Sequence, residues 1–269
     1  MVAAVIACVL AEPSSGQNNV VTNQGMIDED SLITTPLPLT TLPKPSEDVA
    51  RLLERGQVKF KSGGPRPSQA NGYRSTGVID RQFDAETQFR LNYDFVSRCR
   101  WWWSGDVLWV RVRYPKLGLT VTHDVWLRTF PTEISEFWNS DLIKHELDHI
   151  RLSTDPRVLG RFRAAVEAED RLQFARAEVE ELLELKLDNP SRRHLTDDQV
   201  RQLINSRVKA HFQQTFDLIV IRYRELDRQT AHGAFAVPQT GPLRTWLDQS
   251  SLSLKTESDR PASDSPEDE

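Results

Sequence analysis

The chain has 269 residues, enough for one substantial domain or two small ones. Hydrophobic residues make up 38% and charged residues 27%, the balance of a globular protein with room for polar tails. A net charge of -5 gives no overall basic character to suggest nucleic-acid binding, and no nucleic-acid partner is expected.

The N-terminus carries an apolar run, Val2–Leu10, too short to span a membrane. It resembles the core and exit of a secretory signal, with Val9-Leu10-Ala11 at the cleavage position. Residues 1–11 are therefore expected to be signal-like and the protein exported. Val5-Ile6-Ala7-Cys8 also resembles a bacterial lipobox, which would place a lipid anchor on Cys8; both readings lack a basic segment ahead of the run. With Cys8 removed or lipidated, Cys99 stands alone and no intramolecular disulfide framework is possible. No later segment reads as transmembrane. Residues 12–49, rich in Pro, Thr and Ser, are expected to be a flexible linker. The folded domain is expected over 50–250, and residues 251–269 form a polar, acidic stretch expected to be disordered.

Between Val58 and Trp126 the pattern is strand-like. Phe89, Leu91, Tyr93 and Phe95 alternate within 87–95, and segments 106–115 and 119–127 are further strands. Gly63-Gly64-Pro65 and Pro115–Gly118 read as turns. Trp101, Trp102 and Trp103 suit a sheet rim or core better than a ligand platform. From Thr132 onward the pattern is helical. Helix one runs over about 133–152. Helix two opens at Asp155-Pro156 and continues to Asn189-Pro190, and helix three opens with the capping box Thr196-x-x-Gln199 and ends near His232-Gly233.

His145 and His149, four apart on helix one, project from the same face. With Glu146 between them they form H-E-x-x-H, in which two neutral imidazoles suit zinc and the glutamate suits a general base. A catalytic zinc takes three protein ligands. Asp155, six residues after His149, has the spacing of a metzincin third ligand, but Leu152 stands where those proteins need glycine. Asp155 also has an ordinary role as the cap of helix two. The other candidate is His232. If helices two and three are antiparallel neighbours of similar length, His232 returns to the start of helix two, beside His149. Asp227 could accept the second imidazole N–H of a ligand. Tyr223, one turn earlier, could donate to a developing oxyanion, although a core tyrosine is the commoner role. His123, His194 and His211 read as structural or exposed.

Several ordered pieces of the chain resemble the bacterial family of predicted secreted zinc-dependent proteases, catalogued as a domain of unknown function. They are GGPRP (63–67), FDAETQFRLNYDF (83–95), Cys99, FWNSDLIKHELDH (137–149) and LDRQTAHG (226–233). The resemblance implies an exported zinc peptidase-like domain, with His145, His149 and His232 as metal ligands and Glu146 as acid/base. Two departures stand out. Asp148 replaces a small residue before the second histidine, and Leu226 adjoins Asp227 where the family often has its tyrosine.

The expectation is thus an α+β fold: a small antiparallel sheet, a zinc-site helix and a long antiparallel helical hairpin. The expected function is a zinc-dependent peptidase acting on peptide or protein substrates. The alternative is a non-catalytic envelope or binding protein with a structural or vestigial metal site.

Overall fold

The computed structural model describes residues 34–64, 84–129, 134–187 and 194–258. The expected signal segment, Cys8, most of the linker and the Asn189-Pro190 helix stop lie outside these residues. Two strands carry most of the sheet, β3 (Ala85–Ser104) and β4 (Val107–Leu127). The two-residue turn Gly105–Asp106 joins them, with Gly105 at φ 60°, and so short a connection makes the pair antiparallel. Both strands are longer than expected, and Pro115–Gly118 is not a turn. β4 runs through it. Gly118 answers a close approach instead: a Cβ there would come 2.5 Å from Asp94 Oδ1.

The full sheet has the order β1-β2-β4-β3, with β5 also on β4. β1 (Thr35–Leu37) lies antiparallel to β2 (Val58–Ser62), pairing Leu37 with Phe60. β2 runs parallel to β4, pairing Val58 with His123 and Phe60 with Val125. The sheet is therefore mixed rather than purely antiparallel. Strand direction leaves no mark on an alternating pattern, so the sequence reading could not supply it.

Residue contacts divide the molecule into two compact units. The first contains 91–120 and 157–218. Here the expected helix two is in fact three elements: α3 (Pro156–Ala168, all but its first residue in this unit), β5 (Arg171–Ala175) and α4 (Arg176–Leu183). Leu172 and Phe174 are buried at period two, and β5 pairs antiparallel with β4 from Ala175↔Val107 to Arg171↔Arg111. The long antiparallel helical hairpin is thereby corrected to one long helix, α5 (Asp197–Thr230), opposite a broken segment. The capping box that opens α5 is present: Thr196 N–H donates to Gln199 Oε1 at 2.8 Å, and Gln199 N–H to Thr196 Oγ1 at 3.3 Å.

The second unit contains the described residues before 91, 121–156 and those from 219 on. Residues 34–49, expected to be linker, contribute β1, a buried Leu42 and the start of α1 (Glu47–Arg55), which Ser46 caps. α2 (Asp141–Ser153) is shorter than the expected helix one. Ile134–Asn139 is a separate 3-10 turn, and Ser140 caps α2 by accepting the Ile143 N–H at 3.2 Å. Leu52, Phe60, Val125, Leu127, Phe137, Ile143, Leu147 and Ile150 form the core. Each such side chain contributes roughly 1.5–3 kcal/mol by leaving water. Phe60 meets Phe137 edge-on at 5.8 Å. A further helix, α6 (Pro242–Ser258), occupies residues where no helix was expected and carries structure into the expected tail.

Candidate metal centre

α2 buries one face against the core and turns His145, Glu146 and His149 inward, at 5%, 3% and 4% exposure. Glu and His are seldom buried to this degree without a partner or a task. The last turn of α5 brings Asp227 and Thr230 to the same place. His145 Nε2 lies 3.2 Å from Asp227 Oδ1, His149 Nε2 lies 3.0 Å from that oxygen, and the two Nε2 atoms are 3.2 Å apart. Among the described residues these three donor atoms form the one group that could hold a metal ion. Ligand atoms about 2.0–2.1 Å from a tetrahedral zinc are themselves about 3.3 Å apart, so the triangle has the size zinc requires.

The hydrogen-bond pattern fixes which nitrogen of His145 faces the cluster. Thr230 Oγ1 donates its proton to the Leu226 carbonyl at 2.8 Å and accepts the Gly233 N–H at 3.2 Å. Its remaining lone pair lies 3.2 Å from His145 Nδ1 and can only accept. Nδ1 therefore carries the proton, and the Nε2 lone pair points at His149 and Asp227. Two imidazole nitrogens and a carboxylate oxygen in mutual contact need either a shared proton or a metal ion among them. Burial disfavours a proton on His149, but the hydrogen bond to Asp227 and the charges of Asp227, Glu146 and Asp148 together outweigh burial and raise the imidazole above its ordinary value. Burial likewise works against ionised Asp227, yet the imidazoles of His145, His149 and His232 around it hold its carboxyl far below the usual range.

The segment after α5 is tightly wound. Ala231, His232 and Gly233 all have positive φ, at 49°, 59° and 82°. The turn places His232 Nδ1 3.4 Å from Asp227 Oδ1, with the side chain 41% exposed. Gly233 packs on the His145 ring, where a Cβ would stand 3.1 Å from His145 Cβ and Cγ. The structure thus gathers His145, His149, Asp227 and His232. Asp227, expected to orient a ligand, occupies the third corner of the triangle, and His232, expected there, is its neighbour. The expected route for His232, a 30-residue helix two matched by helix three, does not exist; the C-terminal turn of α5 alone delivers it.

Asp148 and Asp155 stand apart from the cluster, whereas Tyr223 lies against it. Asp148 forms an ion pair with Arg151 at 2.5 Å and takes no part in the cluster, so it does not crowd the histidines. Asp155 is buried and accepts a hydrogen bond from Ser250 on α6. Tyr223 sets its ring against His149, centroids 4.4 Å apart and planes tilted by 51°, and its hydroxyl donates to Ser153 Oγ at 3.0 Å. Burial pushes that phenol well above its usual value. Glu146 Oε2 and His149 Nδ1 are buried without a protein hydrogen-bond partner.

None of the family models, curated proteins or solved structures compared with this chain matches it.

His123, expected to be structural or exposed, is buried in the same neighbourhood. Its Nδ1 donates to the Gly56 carbonyl at 2.7 Å, which leaves Nε2 to accept from Ser153 at 2.7 Å. Gly56, His123, Ser153 and Tyr223 form one buried chain of hydrogen bonds ending on the face of His149. Residue spacing carries no signal of it, since its members lie on four different elements.

Proposed function

We propose that the protein is a zinc-dependent peptidase in which His145, His149 and Asp227 hold the ion and His232 stands beside them. The observation that carries this reading is the triangle of Nε2, Nε2 and Oδ1 atoms at 3.0–3.2 Å. The donor set fits zinc, which takes imidazole nitrogen and carboxylate oxygen in tetrahedral sites. Zinc, when bound, supplies Lewis acidity that polarises a carbonyl and acidifies water. Glu146 is the general base: its buried Oε2 has no protein partner, and it sits one residue along the helix from His145. It would take a proton from the attacking water and pass it to the leaving amine. Thr230 holds the tautomer of His145, and Tyr223 holds the ring plane of His149. Peptide or protein substrates, export from the cytoplasm and kinship with the secreted zinc-protease family belong to the same proposal.

One observation favours a second reading. His232 Nδ1, 3.4 Å from Asp227 Oδ1, offers a fourth donor. Four protein ligands make a closed, structural site; three leave a position for substrate. Zinc content and X-ray absorption of the wild type and of the Asp227→Ala and His232→Ala proteins separate the two. A peptidase keeps zinc at full stoichiometry after His232→Ala and loses it after Asp227→Ala. Four protein ligands in the zinc-loaded wild type would refute the enzyme. Glu146→Gln should retain zinc and lower peptide hydrolysis about 10²–10⁴-fold; undiminished hydrolysis would sink Glu146 as the base.

A further inference from the structure

The first unit carries a surface that the metal centre does not explain. Toward the β3–β4 turn, β3 alternates half-buried Ser97, Cys99 and Trp101 with exposed Val96, Arg98, Arg100 and Trp102. On β4, Arg111 and Arg113 are exposed between buried Val110 and Val112. On β5, Arg171 is exposed and lies directly opposite Arg111. Counting back from the two-residue turn puts Trp102 opposite Trp109, and their rings are parallel, 5° apart in plane with centroids at 6.2 Å. The same count puts Arg100 opposite Arg111 and Arg98 opposite Arg113.

Arg100, Arg111 and Arg171 therefore form one row across three strands, with Arg98 and Arg113 in the next. Like charges directly opposite on a sheet destabilise it. No carboxylate among the described residues forms an ion pair with any of the five; nearby Asp94 is engaged by Lys116 at 2.8 Å and Asp106 by Arg176 at 3.7 Å. The chain has 39 acidic residues against 34 basic ones, so this is not a shortage of acids. A face of uncompensated guanidinium groups fits a partner rich in phosphate.

The tryptophans identify the phosphate's source. Four of the seven in the chain, Trp101, Trp102, Trp103 and Trp109, lie within four residues of the turn. The arginine rows lie behind them, away from the turn. Single-stranded nucleic acid is held by aromatic rings spread along a basic track. Aromatic rings gathered at one end with basic groups behind are the arrangement of a membrane interface. No described helix is long and apolar enough to cross a membrane. We infer that this end of the β3–β4 hairpin docks peripherally on an anionic phospholipid surface, Trp102 and Trp109 entering the headgroup layer and the five arginines binding lipid phosphates.

The test is sedimentation of the full chain with phosphatidylcholine vesicles, with and without about 30% phosphatidylglycerol. Each basic residue near an anionic surface is worth about fivefold in partitioning. Arg100→Gln/Arg111→Gln should thus lower binding to the anionic vesicles roughly 25-fold, and Trp102→Ser should diminish the blue shift of tryptophan fluorescence on binding. Arg201→Gln, on α5 and paired with Asp198 at 2.9 Å, should change neither. Circular dichroism checks that each variant is folded; Arg98→Gln/Arg113→Gln provides a second pair. Equal binding to neutral and anionic vesicles, or undiminished binding by both folded double variants, overturns the inference. So does tighter binding to oligothymidylate than to the anionic vesicles at equal phosphate, which would assign the face to nucleic acid.

Discussion

Acidification should destabilise the protein through His123, by an amount the structure sets. The ring is 2% exposed, and burial lowers its pKa from an ordinary 6.5 to about 4, with the hydrogen bond from Nδ1 to the Gly56 carbonyl opposing that fall. A folded-state pKa below the unfolded one means that the unfolded chain takes up the proton first. The contribution of His123 is therefore fully present above pH 6.5 and is lost as pH falls from 6.5 toward 4. A gap of about 2.5 pH units, at about 1.36 kcal/mol each, makes the loss roughly 3 kcal/mol. The cost is desolvation of the imidazolium and not a broken bond, because Ser153 can turn its proton to the Ile150 carbonyl at 3.1 Å. His123→Asn keeps a donor near the Gly56 carbonyl and removes the titration. Urea unfolding in a chelator, at intervals from pH 7.5 to 4.5, gives the stability of both proteins. The wild type should lose up to about 3 kcal/mol more than the variant across that range. Parallel profiles, or an imidazole proton resonance of His123 titrating near pH 6.5, would refute the reasoning.

Thr230→Val keeps the shape of the side chain but removes the hydroxyl that receives His145 Nδ1–H and Gly233 N–H. Competition with a chromophoric chelator should show zinc affinity lowered about 10–100-fold, the usual effect of losing a partner behind a ligand. Gly56→Ala would set a methyl 2.8 Å from Ile150 Cγ2 and 3.0 Å from His123 Nδ1, both in the core. Overpacking of this kind costs about 1–3 kcal/mol, read as a lower urea midpoint at pH 7.5; an unchanged midpoint would show that α1 can shift freely.

The sequence reading and the structure part company for identifiable reasons. His145, Glu146 and His149 were legible because a helix turns i and i+4 to one side, and Asp227, Thr230 and His232 because they cluster within one turn and a half. Which of Asp227 and His232 meets the histidine pair depends on the three positive-φ residues after Thr230, two of which are not glycine. No propensity announces that turn. The α+β class was readable from the change of periodicity near Thr132. β5 was missed because the alternation of Leu172 and Phe174 is only five residues long and is flanked by helical sequence. Likewise, residues 34–49 were misread because Pro and Thr suit both a linker and an edge strand; burial of Leu42 and pairing of Leu37 with Phe60 decide the matter.

The cluster also ties together parts of the chain made far apart in time. His149 and Asp227 are separated by 78 residues, with β5 and most of α5 between them. A site assembled from both sides exists only in the folded chain, so the free energy of binding an ion there would add directly to the stability of the fold. An ion there would act as a removable clasp: residues 150–226 could be threaded and packed first, then locked. Loss of the ion would reopen the longest loop the site controls, and the chain's resistance to unfolding and to proteolysis would rise and fall with metal supply.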